Sequence, residues 1–159
     1  MIDGVDRTIL MMLQANGRIS NAEIARQVEM APSAVLERIR KLEERGVIRS
    51  YAAHLDPRTL GQGLLAYVLV RTESGSWQAE TAAKIAAIPE VQEVHHIAGE
   101  DCFLVKVRTR DTAALGSLLR DRVSAIECVR SSRTTIVLDT VKESTAVNLD
   151  ESATVGGMP

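Results

Sequence analysis

The stretch SNAEIARQVEMAPSAVLERIRKLEERG, residues 20–46, decides the fold of the first half of the chain. It begins with Ser20, and Glu23 follows three residues later, which is the pattern of a capping box at a helix N-terminus. The apolar residues that come next support a short helix that ends near Glu29. Glu29 then lies in the turn between this helix and the next one, and turns between two helices of this kind commonly carry glycine. A positive φ at Glu29 would cost ~1 kcal/mol.

The second part of the stretch predicts a longer helix. Pro32 suits its first turn, and Gly46 is a typical residue just past its end. At about 100° per residue the apolar side chains group on one face, which carries Val35, Leu36, Ile39 and Leu42. The opposite face is polar and carries Ser33, Glu37, Arg40, Lys41 and Glu44.

The segments on either side complete a small domain. Residues 5–13 predict a further amphipathic helix, capped by Asp3 or Asp6. Residues 47–55, VIRSYAAHL, are predicted to be extended and to form a wing strand. Three short helices followed by a strand hairpin are the plan of a winged helix-turn-helix.

Beyond residue 63 the pattern changes to alternating strands and helices. Strands are predicted over residues 64–72, 91–98, 102–109 and within 129–141, and helices over residues 76–88 and 112–125. The order βαββαβ is that of a ferredoxin-like split βαβ sandwich, in which one open face of the sheet invites pairing with another subunit. The predicted fold class is therefore α+β.

These patterns divide the chain into four segments. We expect a winged helix-turn-helix domain over residues 1–55, a ferredoxin-like domain over residues 64–142, and a hinge between them over residues 56–63, where two glycines bracket a glutamine. Residues 143–159 are polar and end in glycines, which predicts a frayed or flexible tail.

Composition places the chain among ordinary globular proteins, with 45% hydrophobic and 25% charged residues. Aromatic residues are only 3%, and pairing of subunits would relieve the shortage of buried area. There is no leader pattern and no stretch that approaches the ~18 apolar residues of a membrane-spanning helix, which predicts a cytoplasmic protein without a membrane partner. Cys102 and Cys128 form no CxxC pair and suit reduced thiols.

Positive charge is concentrated in the first domain, although the formal net charge of the chain is −2. Between Arg26 and Arg49 there are six basic and four acidic side chains. In a helix-turn-helix the last helix lies in the major groove of duplex DNA, where its N-terminal residues reach base edges and longer basic residues reach phosphates. This predicts base contacts from Ser33, Ala34 and Glu37, and phosphate contacts mainly from Arg38, Arg40 and Lys41. The alternative interpretation is a small helical bundle in which the charged third helix faces only solvent and binds no DNA.

The chain resembles the leucine-responsive regulator/AsnC family, also called feast/famine regulators, over nearly its whole length. The resemblance is carried by residues 5–28, 31–57, 66–70, 90–107 and 133–142. It implies a bacterial, nucleoid-associated transcription regulator that binds duplex DNA. It also implies a homodimer, often assembled into octamers, whose activity shifts when an amino acid binds at subunit interfaces.

The resemblance further implies an effector pocket built from the turn between the second and third strands and from the last strand. Carried over by position, the pocket residues are Gly99, Glu100, Asp101, Cys102, Thr134, Thr135 and Ile136. Gly99 allows close approach to the backbone, turn amides suit a carboxylate, and an acidic side chain suits an ammonium group. The chain departs from the family pattern Gly-x-aromatic-Asp, because Cys102 stands where the acid usually lies. The alternative interpretation is that residues 99–101 form a polar turn that binds no ligand.

Other chemistries have less support in the sequence. His95, His96 and the residues after them suggest a metal site, but adjacent side chains on a strand point to opposite faces. Phosphate-loop, HExxH, nucleophile-elbow and dinucleotide motifs are missing, so we expect no catalytic residue, no metal and no cofactor, although ferredoxin-like folds do host enzymes. An aromatic platform for RNA is also missing. Redox sensing through Cys102 stays open as an alternative to an amino-acid effector.

Overall fold

The structure of the chain is a computed structural model that describes residues 2–73, 78–99 and 102–149. The chain forms two compact units. The first unit comprises Met1–His54 together with Glu143–Pro159, and the second comprises Leu55–Lys142. Within its described residues the first unit holds three helices: α1 Gly4–Ala15, α2 Asn21–Gln27 and α3 Pro32–Glu44.

A capping box begins α1 and uses both of the predicted caps. The Asp3 carboxylate accepts the Asp6 N–H at 2.7 Å, and the Asp6 carboxylate accepts the Asp3 N–H at 3.2 Å. Arg38 of α3 donates to both carboxylates, with Nη1 2.7 Å from an oxygen of each. The Asp6 amide and the Arg38 guanidinium hold the pKa of Asp3 below its usual value. These bonds tie the start of α1 to the middle of α3.

The turn at Glu29 forms after α2, but the capping box predicted at the start of this helix forms only in part. Ser20 is the N-cap of α2 and accepts the Glu23 N–H at 3.1 Å, while the Glu23 carboxylate forms an ion pair with Arg26. Glu29 has a φ of 53°, so its backbone lies in the left-handed region. The strain expected at this position is therefore present in the fold.

The helix α3 begins and ends at the predicted residues. Pro32 occupies the first turn, where its missing N–H costs nothing. At the other end Gly46 has a φ of 68°, its N–H bonds the Glu43 carbonyl at 2.9 Å, and the Val47 N–H bonds the Leu42 carbonyl at 2.9 Å. This pair of bonds is a Schellman motif, which favours glycine at the left-handed position.

A small aliphatic core holds the three helices together. Val35 and Ile39 of α3 pack with Ile9 of α1 and Ile24 of α2, and all four side chains are buried. Each such side chain contributes roughly 1.5–3 kcal/mol relative to an exposed one. Leu36, which the helical spacing groups with this face, is 47% exposed because it lies at the margin of the stripe.

The predicted wing strand does not form as a strand. Residues 49–56 belong to no strand, and the described part of the first unit contains none. The Tyr51 hydroxyl instead donates to Glu43 Oε1 of α3 at 2.9 Å. Burial and the neighbouring carboxylate raise the pKa of Tyr51 to about 12. A side-chain contact therefore fixes this segment where a strand ladder was expected.

The predicted hinge, residues 56–63, contains a hydrogen-bonded turn. The Asp56 carboxylate accepts the Thr59 hydroxyl at 2.6 Å and the Arg58 N–H at 3.0 Å. The same bonds lower the pKa of Asp56. These hydrogen bonds order the start of the segment, and residues 55–63 belong to the second unit.

The second unit has the predicted βαββαβ order, which confirms the α+β fold class. Its elements are β1 Leu64–Thr72, α4 Gln78–Ala86, β2 Val91–His96, β3 Phe103–Thr109, α5 Thr112–Leu118 and β4 Val129–Ile136. The strands form one sheet in the order β2-β3-β1-β4, and neighbours are antiparallel. One face of the sheet packs on the helices through Ala66, Val68, Val70, Phe103, Val105 and Val107.

Several elements end earlier than the sequence suggests. β2 ends at His96, two residues early, although the Ile97 N–H still donates to the Cys102 carbonyl at 3.0 Å, in register with the β2–β3 pairing. The helix predicted to residue 125 is α-helical only to Leu118 and continues as a π-helical turn over Leu119–Val123. Of the helix predicted over residues 76–88, the first two residues lie outside the described ones. None of the helices in the described residues is long and apolar enough to cross a membrane.

The tail differs from the frayed segment that its composition predicts. Over its described part, residues 143–149, it lies on α1 and belongs to the first unit. The Gln14 carboxamide donates to the Val147 carbonyl at 3.0 Å and accepts the Val147 N–H at 2.7 Å. Polar contacts of this kind leave no hydrophobic periodicity in a sequence, which is why composition alone does not predict them.

Replacing Arg38 by alanine is expected to lower the free energy of unfolding by about 1–3 kcal/mol, because the Asp6 carboxylate then loses its charged partner. The Asp6 side chain is only 9% exposed, so water replaces that partner poorly. Urea denaturation followed by circular dichroism measures the change. The control Lys84→Ala breaks an exposed pair with Glu80 and is expected to lower the free energy of unfolding much less, because water and salt screen that pair. Equal losses in the two variants would contradict a structural role for Arg38.

The effect of Arg38→Ala is also expected to depend on pH. The pKa of Asp3 is lowered in the folded protein from 3.8. Its pairing therefore stabilises the fold above that value, and the contribution is lost as pH falls through the folded-state pKa. The gap between wild type and variant is expected to narrow below about pH 4, and a gap that widens there would contradict the pairing.

Candidate nucleic-acid interface and effector region

The helix α3 presents a polar face on the side opposite its buried stripe. The residues predicted to contact DNA bases and phosphates lie here within two to three helical turns. Ser33, Glu37, Arg40 and Lys41 are exposed, and Ala34 is half-buried. The fold therefore leaves this face accessible to a large partner while the other face holds the core.

Two basic side chains on this face are available for a partner. Arg40 makes no hydrogen bond or ion pair in the described part of the chain. Lys41 lies 3.4 Å from Glu37, and both side chains are more than half exposed, so water and salt weaken the pair. A phosphate group can displace Glu37 from Lys41 at little cost.

Arg38 has a different environment from the one predicted for a phosphate contact. Its side chain is 31% exposed, and its guanidinium is bound to Asp3 and Asp6 at the start of α1. These two carboxylates raise the pKa of Arg38, so the group is permanently charged. No local pattern indicates this partnership, because the residues are more than thirty positions apart.

A cleft of about 440 Å³ lies between the start of α1 and α3. Ala34, Glu37 and Lys41 line it together with Arg38. Four of the predicted DNA-contacting residues thus border one depression, and the pairing of Arg38 with Asp3 and Asp6 supports its wall.

The turn after β2 contains the first half of the predicted effector pocket. Glu100 and Asp101 lie outside the described residues. Gly99 has a φ of 130°, and none of the described residues places an atom within 4 Å of the point where a Cβ would project. The position therefore needs glycine for its backbone conformation, while the space beside it is open.

Cys102 is anchored beside the end of β1. Its N–H donates to the Val70 carbonyl at 2.9 Å, and its Sγ accepts the Thr72 hydroxyl at 3.0 Å. The thiol is half-buried and is not in a disulfide. The residue that departs from the family pattern is thus held in a defined position at the start of β3.

The second half of the predicted pocket lies on the other side of β1. In β4, Thr134 pairs with Val68 and Ile136 pairs with Ala66, with Thr135 between them. β1 separates this strand from β3 by two strand spacings, ~10 Å, and Phe103 is level with Ser132, so Thr134 to Ile136 also lie ~7–13 Å further along the strand. One chain does not bring the turn and β4 into a single compact pocket.

A charged cluster that the sequence analysis did not single out lies on the sheet face away from the helices. Lys106 Nζ is 3.0 Å from Glu93 Oε1, and His95 Nε2 is 3.1 Å from Glu93 Oε2. The two neighbours lower the pKa of Glu93, and Lys106 is only 8% exposed. The register of β2 against β3 brings Lys106 to Glu93 and His95. In the sequence, the only indication of the cluster is the two-residue spacing of Glu93 and His95, which places both side chains on one face of a strand.

The adjacent histidines face opposite sides of the sheet, as the strand alternation predicts. The His96 ring lies 5.5 Å from the ring of Phe103, which is buried against the helices. His95 is on the other face with Glu93. No group of three or more candidate metal ligands comes together among the described residues.

Two family models match the chain in consecutive segments. The winged helix-turn-helix DNA-binding model matches residues 2–49, and the Lrp/AsnC ligand binding domain model matches residues 65–147. The second match extends past β4 into the tail that lies on α1. Together the two models cover most of the chain.

The relatives agree with these models. The HTH-type transcriptional regulator FL11 of Pyrococcus horikoshii is 38% identical over 144 residues, which are 91% of this chain and 94% of the relative. The leucine-responsive regulatory protein of Escherichia coli is 37% identical over 147 residues, which are 90% of this chain and 88% of the relative.

Solved structures agree as well. The transcriptional regulator NMB0573 of Neisseria meningitidis, in complex with L-Met, superposes with a TM-score of 0.89 and 31% identity, and the match covers 94% of this chain and 98% of that one. Sequence, element order and site position thus lead to one assignment. The chain belongs to the Lrp/AsnC family of transcriptional regulators, with a helix-turn-helix domain for DNA and a family ligand-binding domain.

Proposed function

We propose that the chain is a sequence-specific regulator that binds duplex DNA as a homodimer and changes its assembly or DNA affinity when an amino acid binds. The observation that carries the proposal is the polar face of α3, which is exposed while its apolar face is locked in the core. A dimer then presents two such helices to successive major grooves. Regulation of transcription, and no enzymatic reaction, is the function that follows.

The polar face divides into two roles. Ser33, Ala34 and Glu37 lie in the N-terminal half of α3, which is the part of a recognition helix that reaches base edges. Arg40 and Lys41 lie further along and hold phosphate, which adds affinity but little sequence information. Arg38 orients α3 against the start of α1, and any phosphate contact it makes comes from a guanidinium already bound to two carboxylates.

The open face of the sheet supports assembly of several copies. Tyr67, Leu69 and Leu104 lie on this face and are only half-buried in one chain. A second copy that covers this face would bury them and supply the area that a chain with few aromatic residues lacks. Such dimers assemble further, to octamers or similar particles, in the cytoplasm on nucleoid DNA, where wrapping or bending of the DNA becomes possible.

The effector region supports a pocket shared between copies. Gly99 and Cys102 on one side and Thr134 to Ile136 on the other are too far apart in one chain to enclose a small molecule. The Neisseria meningitidis regulator was solved with L-Met, which makes an amino acid the class of ligand to test. An amino acid bound between copies shifts the assembly only if it binds one state more tightly than the other.

The environment of Cys102 supports a second candidate signal. Its Sγ accepts a hydrogen bond from Thr72 and lies at the edge of the predicted pocket. Oxidation of this thiol would alter the pocket directly, so the same regulator would sense redox state. The variant Cys102→Ser distinguishes the redox signal from the amino-acid signal. It is expected to lose a response to peroxide and to keep a response to amino acids.

Replacing Arg40 and Lys41 by alanine is expected to weaken binding to every DNA sequence alike. Removing each phosphate contact should reduce the slope of log K against log salt concentration by about one unit. Fluorescence anisotropy at several salt concentrations measures the slope. The control Arg120→Ala removes an exposed cation from the second unit and should leave the slope unchanged. An unaltered slope in the double variant would rule out phosphate contacts by these residues.

Replacing Gly99 by alanine is expected to weaken amino-acid binding about tenfold, because a side chain strains the backbone at a φ of 130°. Ligand-free DNA affinity is expected to stay at the wild-type value. Calorimetry with L-methionine and anisotropy with DNA measure the two properties. Gly116→Ala, in α5 and also in open space, is the control. Loss of both properties in Gly99→Ala would show that the turn is structural.

A further inference from the structure

The chain crosses between its two units twice. The first crossing follows His54, and the return crossing follows Lys142, after which the tail rejoins the first unit. The described tail residues 143–149, here called the latch, begin only seven positions after the end of β4. The latch therefore connects the strand with the predicted effector residues to the unit that carries α3.

The Gln14 side chain makes a two-bond contact with the latch. The Gln14 carboxamide satisfies both backbone groups of Val147, since Nε2 lies 3.0 Å from the carbonyl oxygen and Oε1 lies 2.7 Å from the nitrogen. A carboxamide suits this position because it carries a donor and an acceptor side by side. Two helical turns earlier on α1, Arg7 Nη1 lies 3.5 Å from the Leu149 carbonyl.

The contact is polar and exposed, which makes it reversible. Val147 is 66% exposed, so apolar burial contributes little to holding the latch on α1. Hydrogen bonds at a surface compete with water, and ordering the latch costs conformational entropy. Because these effects oppose each other, changes elsewhere in the chain can shift the balance between docked and free states.

We propose that the latch is a reversible second tether that couples β4 to the DNA-binding unit, a role that rests on the proposed function. With the latch docked, the DNA-binding unit is held to the second unit both by the chain around His54 and by Gln14. With the latch free, only the first connection remains. A docked latch thus restricts the orientation of the DNA-binding unit, and a ligand that contacts Thr134 to Ile136 is placed to change the restriction.

A restricted orientation of the DNA-binding unit affects binding to DNA that carries two half-sites, but not to DNA that carries one. A dimer that binds two half-sites needs both recognition helices at a fixed separation, and restricting them in advance lowers the entropy cost of binding. A single half-site imposes no separation. Loss of the latch should therefore weaken binding to paired half-sites, widen the tolerated spacing between them, and leave binding to one half-site unchanged.

Three variants test the latch. Gln14→Leu removes both bonds from the α1 side, and Val147→Pro removes the N–H from the tail side. Thr8→Val is the matched control, because it removes a side-chain bond to the Gly4 carbonyl within α1 and does not involve the tail. Each variant is made in the full chain.

The first measurement is amide hydrogen exchange at Val147, which requires no DNA. Gln14→Leu should accelerate exchange about tenfold, to the rate of an unstructured segment, whereas Thr8→Val should not change it. Equal rates in wild type and Gln14→Leu would overturn the proposal, because the latch would not be docked in solution. This measurement tests whether the latch is docked on α1, and it does so independently of the proposed DNA-binding function.

The second measurement compares binding to a footprinted DNA fragment with binding to the same fragment cut to one half-site. Gln14→Leu and Val147→Pro should each lose several-fold affinity for the paired site only, with the salt slope unaltered. Faster exchange at Val147 without any loss of paired-site affinity would overturn the coupling. Equal losses on both fragments would also overturn it, since they would indicate a direct effect on DNA contact.

Discussion

Burial of one stripe of α3 is the constraint on which the structure depends. Val35, Ile39 and Leu42 are held in the small core of the first unit, so the helix cannot rotate without exposing them. Because side chains follow a 3.6-residue period, fixing this stripe also fixes which residues face outward. The exposed set that results, centred on Glu37 and Arg40, is what a DNA duplex can contact. On the proposed function, DNA recognition therefore depends on the same packing that holds the three helices together.

The remaining polar interactions determine how accurately α3 is held. Arg38 extends from α3 to the capping box of α1, so one side chain joins the start of one helix to the middle of another. In the second unit the antiparallel sheet separates the two predicted halves of the effector pocket by one strand. On the proposed function, a pocket closed by a second copy would link ligand binding to assembly without any large change within a chain.

Local patterns allowed most of the fold to be predicted. The three helices, the βαββαβ order and the positive φ of Glu29 follow from periodicity, capping residues and turn chemistry, which act over a few positions. The pairing of Arg38 and the docking of Val147 on Gln14 depend on contacts between distant segments, so no local pattern indicates them. For the cluster around Glu93, strand alternation indicates only that Glu93 and His95 share a face, and the approach of Lys106 depends on the sheet register. The missing wing strand has the same cause, because a strand requires a partner that local propensity does not supply. Among the site residues, Ser33, Glu37, Arg40 and Lys41 were predicted on the exposed face because helical spacing alone places them there.

The most direct test of the account is sedimentation of the purified chain with a promoter fragment from beside its own gene, with and without a mixture of the twenty amino acids. The account predicts a dimer or a larger particle that binds the fragment and changes its size or occupancy when the amino acids are added. Separate trials of each amino acid would then identify the effector. A monomer that binds no DNA would contradict the proposed function, and a DNA-bound assembly indifferent to every amino acid would contradict the proposed effector and direct attention to Cys102.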